Sequence, residues 1–272
     1  MSGSKVILVT GASSGIGRAT ADLLHARGHR VFGSSRNPAI HEAPWSLVGL
    51  DVTEDASVAA CVEAILASEG RIDAVVNNAG LVMAGAVEDT SPQEAQRTFE
   101  TNVIGAIRVA RAVLPSMRSR RSGVIVNMGS LAGRVGMPFQ GLYSASKFAL
   151  EGLTESLRQE VAGAGIQVAL VAPGDTATPV VENRVRTSGA TDPGSAYSAD
   201  FARIVAMYEA DERAGAPAGR VAARIADIID GRRRAPRHVV GPLPQRIMVA
   251  SRNIIPGGIF RWGMSRYFGL RG

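Results

Sequence analysis

The sequence predicts a single-domain α/β fold, a doubly wound parallel sheet of about seven strands with helices on both faces. Short apolar runs rich in β-branched residues alternate along the chain with longer segments of helical periodicity. The runs lack the polar/apolar alternation of a half-exposed strand, so both of their faces are predicted to be buried. Because parallel neighbours require crossover connections, this alternation indicates helices on both faces of one sheet.

The elements follow in chain order from this pattern. Strands are predicted at 5–10, 30–35, 47–50, 74–77, 124–128 and 167–172, with a short seventh strand at 238–241. Helices are predicted at 15–28, 55–69, 92–119 and 143–163. No linker divides residues 1–272, which are predicted to form one domain. Segment 175–220 follows the sixth strand at the sheet edge where ligands bind, so we predict a substrate lid there.

The composition excludes several classes of protein. A single cysteine, Cys61, excludes a disulfide framework, and the four histidines lack metal-ligand spacing, so no metal site is expected. Cys61 itself is predicted to be a buried, inert thiol. The formal net charge is +6, but residues 231–272 hold nine arginines and no acidic residue. Since the rest of the chain is slightly acidic, nucleic acid is not an expected partner.

The basic C-terminal extension, residues 231–272, carries the one surface that suggests a membrane. No apolar run is long enough to span a bilayer, and a strand-like run beginning near Met1 leaves no room for a signal peptide. The expected location is therefore cytoplasmic, with a peripheral location at the membrane as the alternative. Segment 244–271 contains apolar and aromatic residues together with arginines, of which Arg271 is the last. The residues Pro256-Gly257-Gly258 are predicted to break this segment into two short pieces. Weak contact with an anionic membrane surface and packing on the pocket or a partner subunit both remain open.

A glycine-rich loop at 10–17, Thr-Gly-Ala-Ser-Ser-Gly-Ile-Gly, follows the first strand and opens the first helix. Its glycines allow a tight turn, a close approach of backbone to a pyrophosphate, and close packing of helix on strand. The helix N-terminus adds unsatisfied N–H groups that favour phosphate. The loop therefore predicts a dinucleotide site, typical of a Rossmann fold, formed by Gly11, Ser13, Ser14, Gly15, Ile16 and Gly17.

The end of the second strand predicts which dinucleotide is bound. NAD-binding folds usually place an acidic residue here to bind the ribose 2′-hydroxyl, but this chain has Ser35 followed by Arg36. A guanidinium attracts a 2′-phosphate that a carboxylate would repel. We therefore predict NADP(H) as cofactor, with a solvated surface arginine as the alternative.

Tyr143 and Lys147 are the candidate proton-transfer pair. Their four-residue spacing places them on one face of a predicted helix. Lys147 is one of only two lysines in a chain with 28 arginines, which suggests that a compact ammonium is needed there. A neighbouring ammonium is expected to lower the pKa of the Tyr143 phenol. A surface Tyr/Lys pair is the alternative.

Further motifs occur at successive strand ends, and together they resemble the short-chain dehydrogenase/reductases over nearly the whole chain. The matching residues are the loop at 10–17, Asp51-Val52, Asn77-Asn78-Ala79-Gly80, Asn102, Gly129-Ser130, Tyr143-x-x-x-Lys147 and Pro173-Gly174. The resemblance implies that Tyr143 is the acid–base, Ser130 hydrogen-bonds the substrate carbonyl, and Lys147 holds the nicotinamide ribose. Asn102 would support a water chain. The implied cofactor contacts also include Asp51, Val52, Asn78, Ala79, Gly80, Pro173, Gly174, Thr176 and Thr178, with Thr176 replacing an apolar residue usual in the family.

The substrate is expected to be lipophilic. The sequence of residues 136–153 is most similar to the hydroxysteroid and retinol dehydrogenase branch of the family. Candidate pocket residues, none of them charged, are Met83, Leu131, Met137, Phe139, Val180, Phe201 and Tyr208. They predict a lipophilic ketone or aldehyde and its alcohol, although Phe201 and Tyr208 equally suit packing of the lid. The resemblance implies a homodimer or homotetramer through 92–119 and 143–163. A non-catalytic NADP(H)-binding regulator and a lyase or epimerase on the same fold remain alternatives.

Overall fold

The computed structural model describes residues 3–252 and 254–270. The strands are β1 (Val6–Val9), β2 (Arg30–Ser35), β3 (Ser46–Gly49), β4 (Ala74–Asn77), β5 (Met83–Ala84), β6 (Gly123–Met128), β7 (Ile166–Pro173), β8 (Thr176–Ala177), β9 (Val185–Arg186), β10 (Ala216–Pro217) and β11 (Arg237–Val240). The helices are α1 (Gly15–Ala26), α2 (Asp55–Glu69), α3 (Pro92–Phe99), α4 (Gly105–Ser119), α5 (Gly141–Glu160), α6 (Ser198–Arg213), α7 (Ala218–Ile229), α8 (Leu243–Ser251) and α9 (Gly257–Tyr267).

Seven parallel strands form the central sheet in the order β11-β7-β6-β4-β1-β2-β3. All seven predicted strands are confirmed, with ends that differ by one residue or coincide. The chain passes from β3 at one edge to β4 beside β1, so the strand order reverses there. In sheets of this kind the ligand binds at that reversal, outside the carboxyl ends of the strands.

Both faces of the sheet are buried, as the absence of alternation predicted. In β1, Val6 and Leu8 pack in an apolar layer with α2 and α4. Ile7 and Val9 point to the opposite face and pack with α1 and α7. Helix α7 was not among the predicted elements, although it supplies much of the second layer. Cys61 is buried on α2, and burial raises the pKa of its thiol to about 11, which agrees with an inert role.

The predicted helix 92–119 is divided by one π-helical turn, Glu100–Ile104, between α3 and α4. Helix α3 begins with a capping box in which Ser91 and Glu94 exchange side-chain and backbone hydrogen bonds. A π-turn widens the helix locally and often occurs at functional sites. Here it contains Asn102, whose side chain is directed inward.

Segment 175–220 and the C-terminal extension lie at the carboxyl edge of the sheet. Residues 175–220 contain three short strands and α6, and the segment ends where α7 begins. The extension forms two helices, α8 and α9, which confirms the predicted break, although Gly257 and Gly258 lie in the first turn of α9. Phe268 is buried against Tyr208 of α6, with ring centroids 5.6 Å apart. Among the described residues no helix is both long and apolar enough to cross a bilayer; Arg271 lies outside them.

Candidate active site

A cleft of about 1300 Å³ runs along the carboxyl ends of the strands on both sides of β1. Its position is the one that the strand order predicts for a dinucleotide. Eleven of the predicted cofactor residues line it: Gly11, Ser13, Ser14, Gly15, Arg36, Asp51, Val52, Asn78, Ala79, Gly80 and Thr178.

The glycine loop has the shape that a pyrophosphate requires. Gly11 and Gly15 adopt positive φ angles of 63° and 56°, which residues with a side chain rarely adopt. A Cβ on Gly17 would lie 2.3 Å from the Gly11 carbonyl oxygen, so Gly17 serves close packing of the loop and does not line the cleft. The Asn78 amide donates to the carbonyls of Thr10 and Gly11 at 3.0 and 2.9 Å. These contacts fix the loop in a conformation that can bind an anion. The residues of the loop therefore fit the pyrophosphate of a dinucleotide.

Arg36 and Asp51 mark the far end of the cleft. The Asp51 carboxylate accepts hydrogen bonds from the Thr53 backbone and hydroxyl at 2.9 and 2.7 Å. Burial opposes its ionisation, but these bonds and the nearby Arg36 charge leave the pKa of Asp51 below its usual value. Arg36 is exposed and forms no ion pair with any carboxylate in the described part of the chain. Its guanidinium is thus available to a ligand in the cleft.

The structure brings Ser130, Tyr143 and Lys147 together at the near end. Ser130 follows β6, and Tyr143 and Lys147 lie one turn apart at the start of α5. The Ser130 hydroxyl, which accepts a hydrogen bond from the Ala132 backbone N–H at 3.1 Å, is near enough to the Tyr143 phenol to influence its pKa. The Lys147 ammonium lies 5.7 Å from the centre of the Tyr143 ring and donates to the Met128 carbonyl at 2.8 Å. The predicted proton-transfer group is therefore assembled around one phenol.

The predicted direction of the Tyr143 pKa shift is wrong for this structure. Burial and the Glu212 carboxylate raise the pKa of Tyr143, and the Ser130 hydrogen bond and Arg184 oppose that rise only in part. Burial also lowers the pKa of Lys147 to about 8. The four-residue spacing correctly predicted that the two side chains share one helical face. The Lys147 ammonium, however, points to the Met128 backbone carbonyl and not to the Tyr143 phenol oxygen. Tyr143 is consequently a protonated phenol at neutral pH.

Asn102 connects the π-turn to the rest of the site through hydrogen bonds of its side chain. Its side-chain oxygen accepts from the Leu81 backbone N–H at 2.7 Å, and its amide donates to the Leu81 carbonyl at 2.9 Å. The same amide donates to the Ser146 hydroxyl at 3.0 Å, and Ser146 donates to the Tyr143 carbonyl at 2.7 Å. A cavity of about 10 Å³, the size of one water molecule, separates Asn102 from Lys147. Ser146 was not predicted, since only the folded chain shows this contact.

A second cavity of about 210 Å³ adjoins the cleft and contains Ser130 and Tyr143 in its wall. Thr178 and Val180 line both cavities, so the two are neighbours at this point. Five of the remaining predicted cofactor residues line this smaller cavity: Ile16, Tyr143, Pro173, Gly174 and Thr176. Gly17 and Lys147 line neither the cleft nor this cavity, and Lys147 borders only the water-sized cavity beside Asn102. The reactive end of a dinucleotide and the carbonyl of a substrate would meet here.

The predicted substrate residues divide into two groups. Leu131, Met137, Val180 and Tyr208 line the smaller cavity, as predicted. Met83, Phe139 and Phe201 do not, so that part of the prediction is wrong. Phe139 and Phe201 pack edge to face, with centroids 5.8 Å apart, in an apolar cluster with Ala84 and Val205. Aromatic residues in the lid segment suit either role, and only tertiary packing separates them.

The expectation of an uncharged pocket is also wrong. Asp175, Asp211 and Glu212 line the cavity, and the C-terminal extension adds five side chains that sequence reasoning did not assign: Gln245, Met248, Met264, Tyr267 and Phe268. The two carboxylates of α6 gave no signal in the sequence, because a helix of mixed charge ordinarily faces solvent.

The fold and the site together define a nicotinamide-dependent oxidoreductase. The short chain dehydrogenase pattern matches residues 5–189, and the chain belongs to that family. It is 38% identical over 267 residues to a 3-ketodihydrosphingosine reductase of Bacteroides thetaiotaomicron, covering 98% of this chain and 99% of the relative.

Two solved structures agree with this assignment. A short-chain dehydrogenase from Streptomyces avermitilis superposes with a TM-score of 0.82 at 31% identity, covering 98% of this chain and 99% of that one. A short chain dehydrogenase/reductase from Burkholderia phymatum, solved in complex with NAD, gives 0.78 at 26% identity and covers 92% and 95% of the two chains.

Proposed function

We propose that this protein is an NADP(H)-dependent oxidoreductase that interconverts a lipophilic ketone or aldehyde and its alcohol, with Tyr143 as the acid–base. The observation that carries the proposal is the position of the Tyr143 phenol. It lies beside Ser130, and both side chains line the small cavity that adjoins the dinucleotide cleft. A carbonyl bound there would receive a proton from Tyr143.

The preference for NADP(H) is supported by the side chains that line the cleft near the end of β2. Ser35 stands where a ribose-binding carboxylate would be expected, and exposed Arg36 lines the same wall. A charge-assisted pair with a 2′-phosphate would satisfy the guanidinium, which forms no ion pair with a carboxylate among the described residues.

Each residue of the site has a defined part in the reduction. When bound, the reduced nicotinamide supplies a hydride to the carbonyl carbon. Tyr143, whose pKa is raised, donates its proton to the carbonyl oxygen, and the Ser130 hydroxyl stabilises the charge that develops there. Lys147 and the water-sized cavity beside Asn102 provide a route by which the phenol regains a proton.

A long-chain amino ketone is the substrate class that we favour. The Bacteroides relative, similar over nearly its full length, is named for 3-ketodihydrosphingosine, a ketone of this class. The pocket supports the same choice, since Leu131, Met248, Met264 and Phe268 give it an apolar wall that suits an alkyl chain.

The test is NADPH oxidation, followed by the absorbance of the reduced nicotinamide, against long-chain amino ketones, steroid ketones, retinal and short aliphatic ketones. NADH is run in parallel, and Tyr143→Phe is the control. We expect turnover with the long-chain ketone and NADPH, and loss of that turnover in the variant. No turnover with any carbonyl, or unchanged turnover in the variant, would contradict the proposal.

We also propose that the C-terminal helices contact an anionic membrane surface weakly and reversibly. Exposed apolar side chains stand on α8 and α9 beside arginines, and residues 231–272 contain no acid to offset that charge: Leu243, Ile247, Ile259, Trp262, Arg246, Arg261 and Arg266. The same helices line the substrate pocket through Met248 and Met264. A lipid substrate would then enter from the surface that the protein contacts.

A homodimer or homotetramer through α4 and α5 is proposed on similar grounds. Phe148 on α5 is 44% exposed, and Ile104, the last residue of the π-turn before α4, is 37% exposed. Large apolar side chains on neighbouring helices are typical of a subunit contact.

A further inference from the structure

The turn that follows β7, residues 173–176, forms one wall of the small cavity. The same cavity is lined by Ser130 and Tyr143. It adjoins the dinucleotide cleft at Thr178, so the turn lies beside the place where the nicotinamide and the substrate carbonyl would meet. Because hydride transfer depends on the relative position of the two reactants, the position of this backbone matters for the rate.

Backbone hydrogen bonds from distant segments fix most of the turn. The Gly174 N–H donates to the Val240 carbonyl of β11 at 2.8 Å, and the Asp175 carbonyl accepts from the Ala216 N–H at 3.0 Å. The Asp175 N–H, in contrast, has no backbone acceptor among the described residues. A backbone N–H in a partly buried turn requires a partner from elsewhere.

Gln245 of α8 supplies that partner. Its side-chain oxygen accepts from the Asp175 N–H at 3.1 Å, and its side-chain nitrogen donates to the Asp175 carboxylate. A Cβ on Gly174 would collide with the same Gln245 oxygen, so the glycine allows the close approach. The amide thus uses both its acceptor and its donor on one residue of the turn, which fixes the distance and the orientation between α8 and the turn.

The carboxylate of Asp175 depends on this contact. Burial raises the pKa of Asp175, the Gln245 hydrogen bond opposes that rise, and the Asp211 charge adds to it. Among the described residues, Gln245 is the only side chain that donates to this carboxylate. Removal of the amide would leave two polar groups of Asp175 without their partner, and the turn would have to move to satisfy them.

The C-terminal extension is anchored firmly enough to hold the turn. Val249 of α8 is buried in an apolar cluster with Leu131 and Val135, which lie shortly after Ser130 in the chain. The carbonyl of Phe268, at the end of α9, accepts from the Arg203 guanidinium at 2.6 Å. The position of Gln245 is therefore determined by packing on two other walls of the cavity.

We infer that Gln245 is a positioning residue, which fixes the 173–176 turn beside the reacting groups and makes the C-terminal extension a working part of the active site. This inference rests on the proposed function, because it assigns a role in the same reaction. Gln245 neither gives nor takes a proton, and the hydride and the Tyr143 proton are transferred as described above. Its loss should affect the nicotinamide end of the cofactor and leave the adenosine end, held by the glycine loop and Arg36, unchanged.

The kinetic test uses Gln245→Met, which keeps a side chain of similar length and removes both hydrogen bonds. We expect kcat to fall by roughly tenfold to a hundredfold, as a small misplacement of reacting groups costs. Asp175→Ala should lower kcat in the same way, whereas Asp175→Asn keeps an acceptor for the Gln245 amide and should retain most of the rate. An unchanged kcat in Gln245→Met, or equal losses in Asp175→Asn and Asp175→Ala, would overturn the inference.

Gln167→Met is the matched control. Gln167 lies at the opposite end of β7, and its side-chain amide also joins distant segments by donating to the Arg233 carbonyl at 3.1 Å. Removal of this contact should leave kcat unchanged. An equal fall in kcat in Gln167→Met would show that any loosening of β7 slows the reaction, and the inference would be wrong.

A binding comparison separates positioning from a general loss of structure. The probes are NADP⁺ and ADP-ribose 2′-phosphate, which is the same molecule without the nicotinamide. In Gln245→Met the ratio of the two affinities should fall severalfold, while the affinity for ADP-ribose 2′-phosphate stays at the wild-type value. Equal weakening of both ligands, or none, would contradict the inference. NAD⁺ and ADP-ribose serve as the probes if the protein prefers NAD(H).

The binding comparison needs no turnover, so it also separates the inference from the proposed function. If the ratio falls in Gln245→Met but the wild type reduces no carbonyl, the inference about the turn stands and the proposed reaction fails. If the wild type reduces a ketone but neither kcat nor the ratio changes in the variant, the inference alone is wrong. Should Gln245→Met lose its cooperative melt, Asp175→Ala takes its place, since it removes the carboxylate contact from the other side.

Discussion

The cofactor preference rests on one exposed side chain and can be reversed by small changes. We expect Arg36→Ala to weaken NADPH binding while leaving NADH binding nearly unchanged, because only NADPH has a 2′-phosphate. Ser35→Asp should go further, since a carboxylate at this wall of the cleft repels the phosphate and offers an acceptor to the ribose hydroxyl of NADH.

The magnitude follows from the exposure of Arg36. A hydrogen bond between charged groups contributes about 1.5–3 kcal/mol. Arg36 lies at the open end of the cleft in contact with solvent, which screens the interaction, so we use the lower limit. About 1.5 kcal/mol corresponds to roughly a tenfold weaker Kd for NADPH. Nearby Asp51 keeps its negative charge at neutral pH, and after removal of Arg36 its repulsion adds to the loss.

The assay is titration of each variant with NADPH and NADH, followed by nicotinamide fluorescence and repeated at high salt. Arg30→Ala is the matched control, because Arg30 lies at the opposite end of the same strand in an exposed pair with Glu69. The selective loss should shrink as salt increases. Equal weakening of both cofactors by Arg36→Ala, or none, would show that Arg36 does not bind the 2′-phosphate.

Three further predictions concern the phenol, the buried lysine and the C-terminal helices. Tyr143→Phe should lower kcat by about 10²–10⁴-fold with little change in NADPH affinity. The control is Tyr197→Phe, which changes a half-exposed tyrosine of the lid that donates to Glu88 and should keep full activity. A Tyr143→Phe rate within about tenfold of the wild-type rate would contradict the assignment. Because burial lowers the pKa of Lys147 to about 8, the unfolded chain binds the extra proton between pH 8 and its ordinary pKa of 10.5. The free energy of unfolding of the wild type, measured relative to Lys147→Met, should therefore rise by up to about 3 kcal/mol across that window in urea titrations; a flat or falling difference would contradict it. Co-sedimentation should show binding to anionic but not neutral vesicles at low salt, and less binding at high salt or in Trp262→Ser; equal recovery in every supernatant would assign the helices to the pocket alone.

The sequence alone predicted the sheet and the ends of its strands well. Runs such as 74–77 contain only residues that suit a strand buried on both faces, and the structure places β4 at the same bounds. The glycine loop was equally clear, since Gly11, Gly15 and Gly17 each meet a local requirement of backbone geometry. Helix α7 shows the limit of that analysis, because its apolar residues recur at helical spacing but lie beyond the lid, where the rhythm of strands and helices had been interrupted.

The sequence therefore determined what depends on local order: the strands, the phosphate loop, the pairing of Tyr143 with Lys147 on one helical face, and the family. Only tertiary structure decided what depends on distant segments meeting. Asp175 and Gln245 are 70 residues apart, and Arg184 and Glu212 are 28 apart, yet each pair shares a hydrogen bond at the substrate cavity. The direction of the Tyr143 pKa shift belongs to the same group, since burial depends on everything packed around the phenol. Spacing along a chain determines which side chains share a face, but charge and solvation at a site depend on all the segments that enclose it.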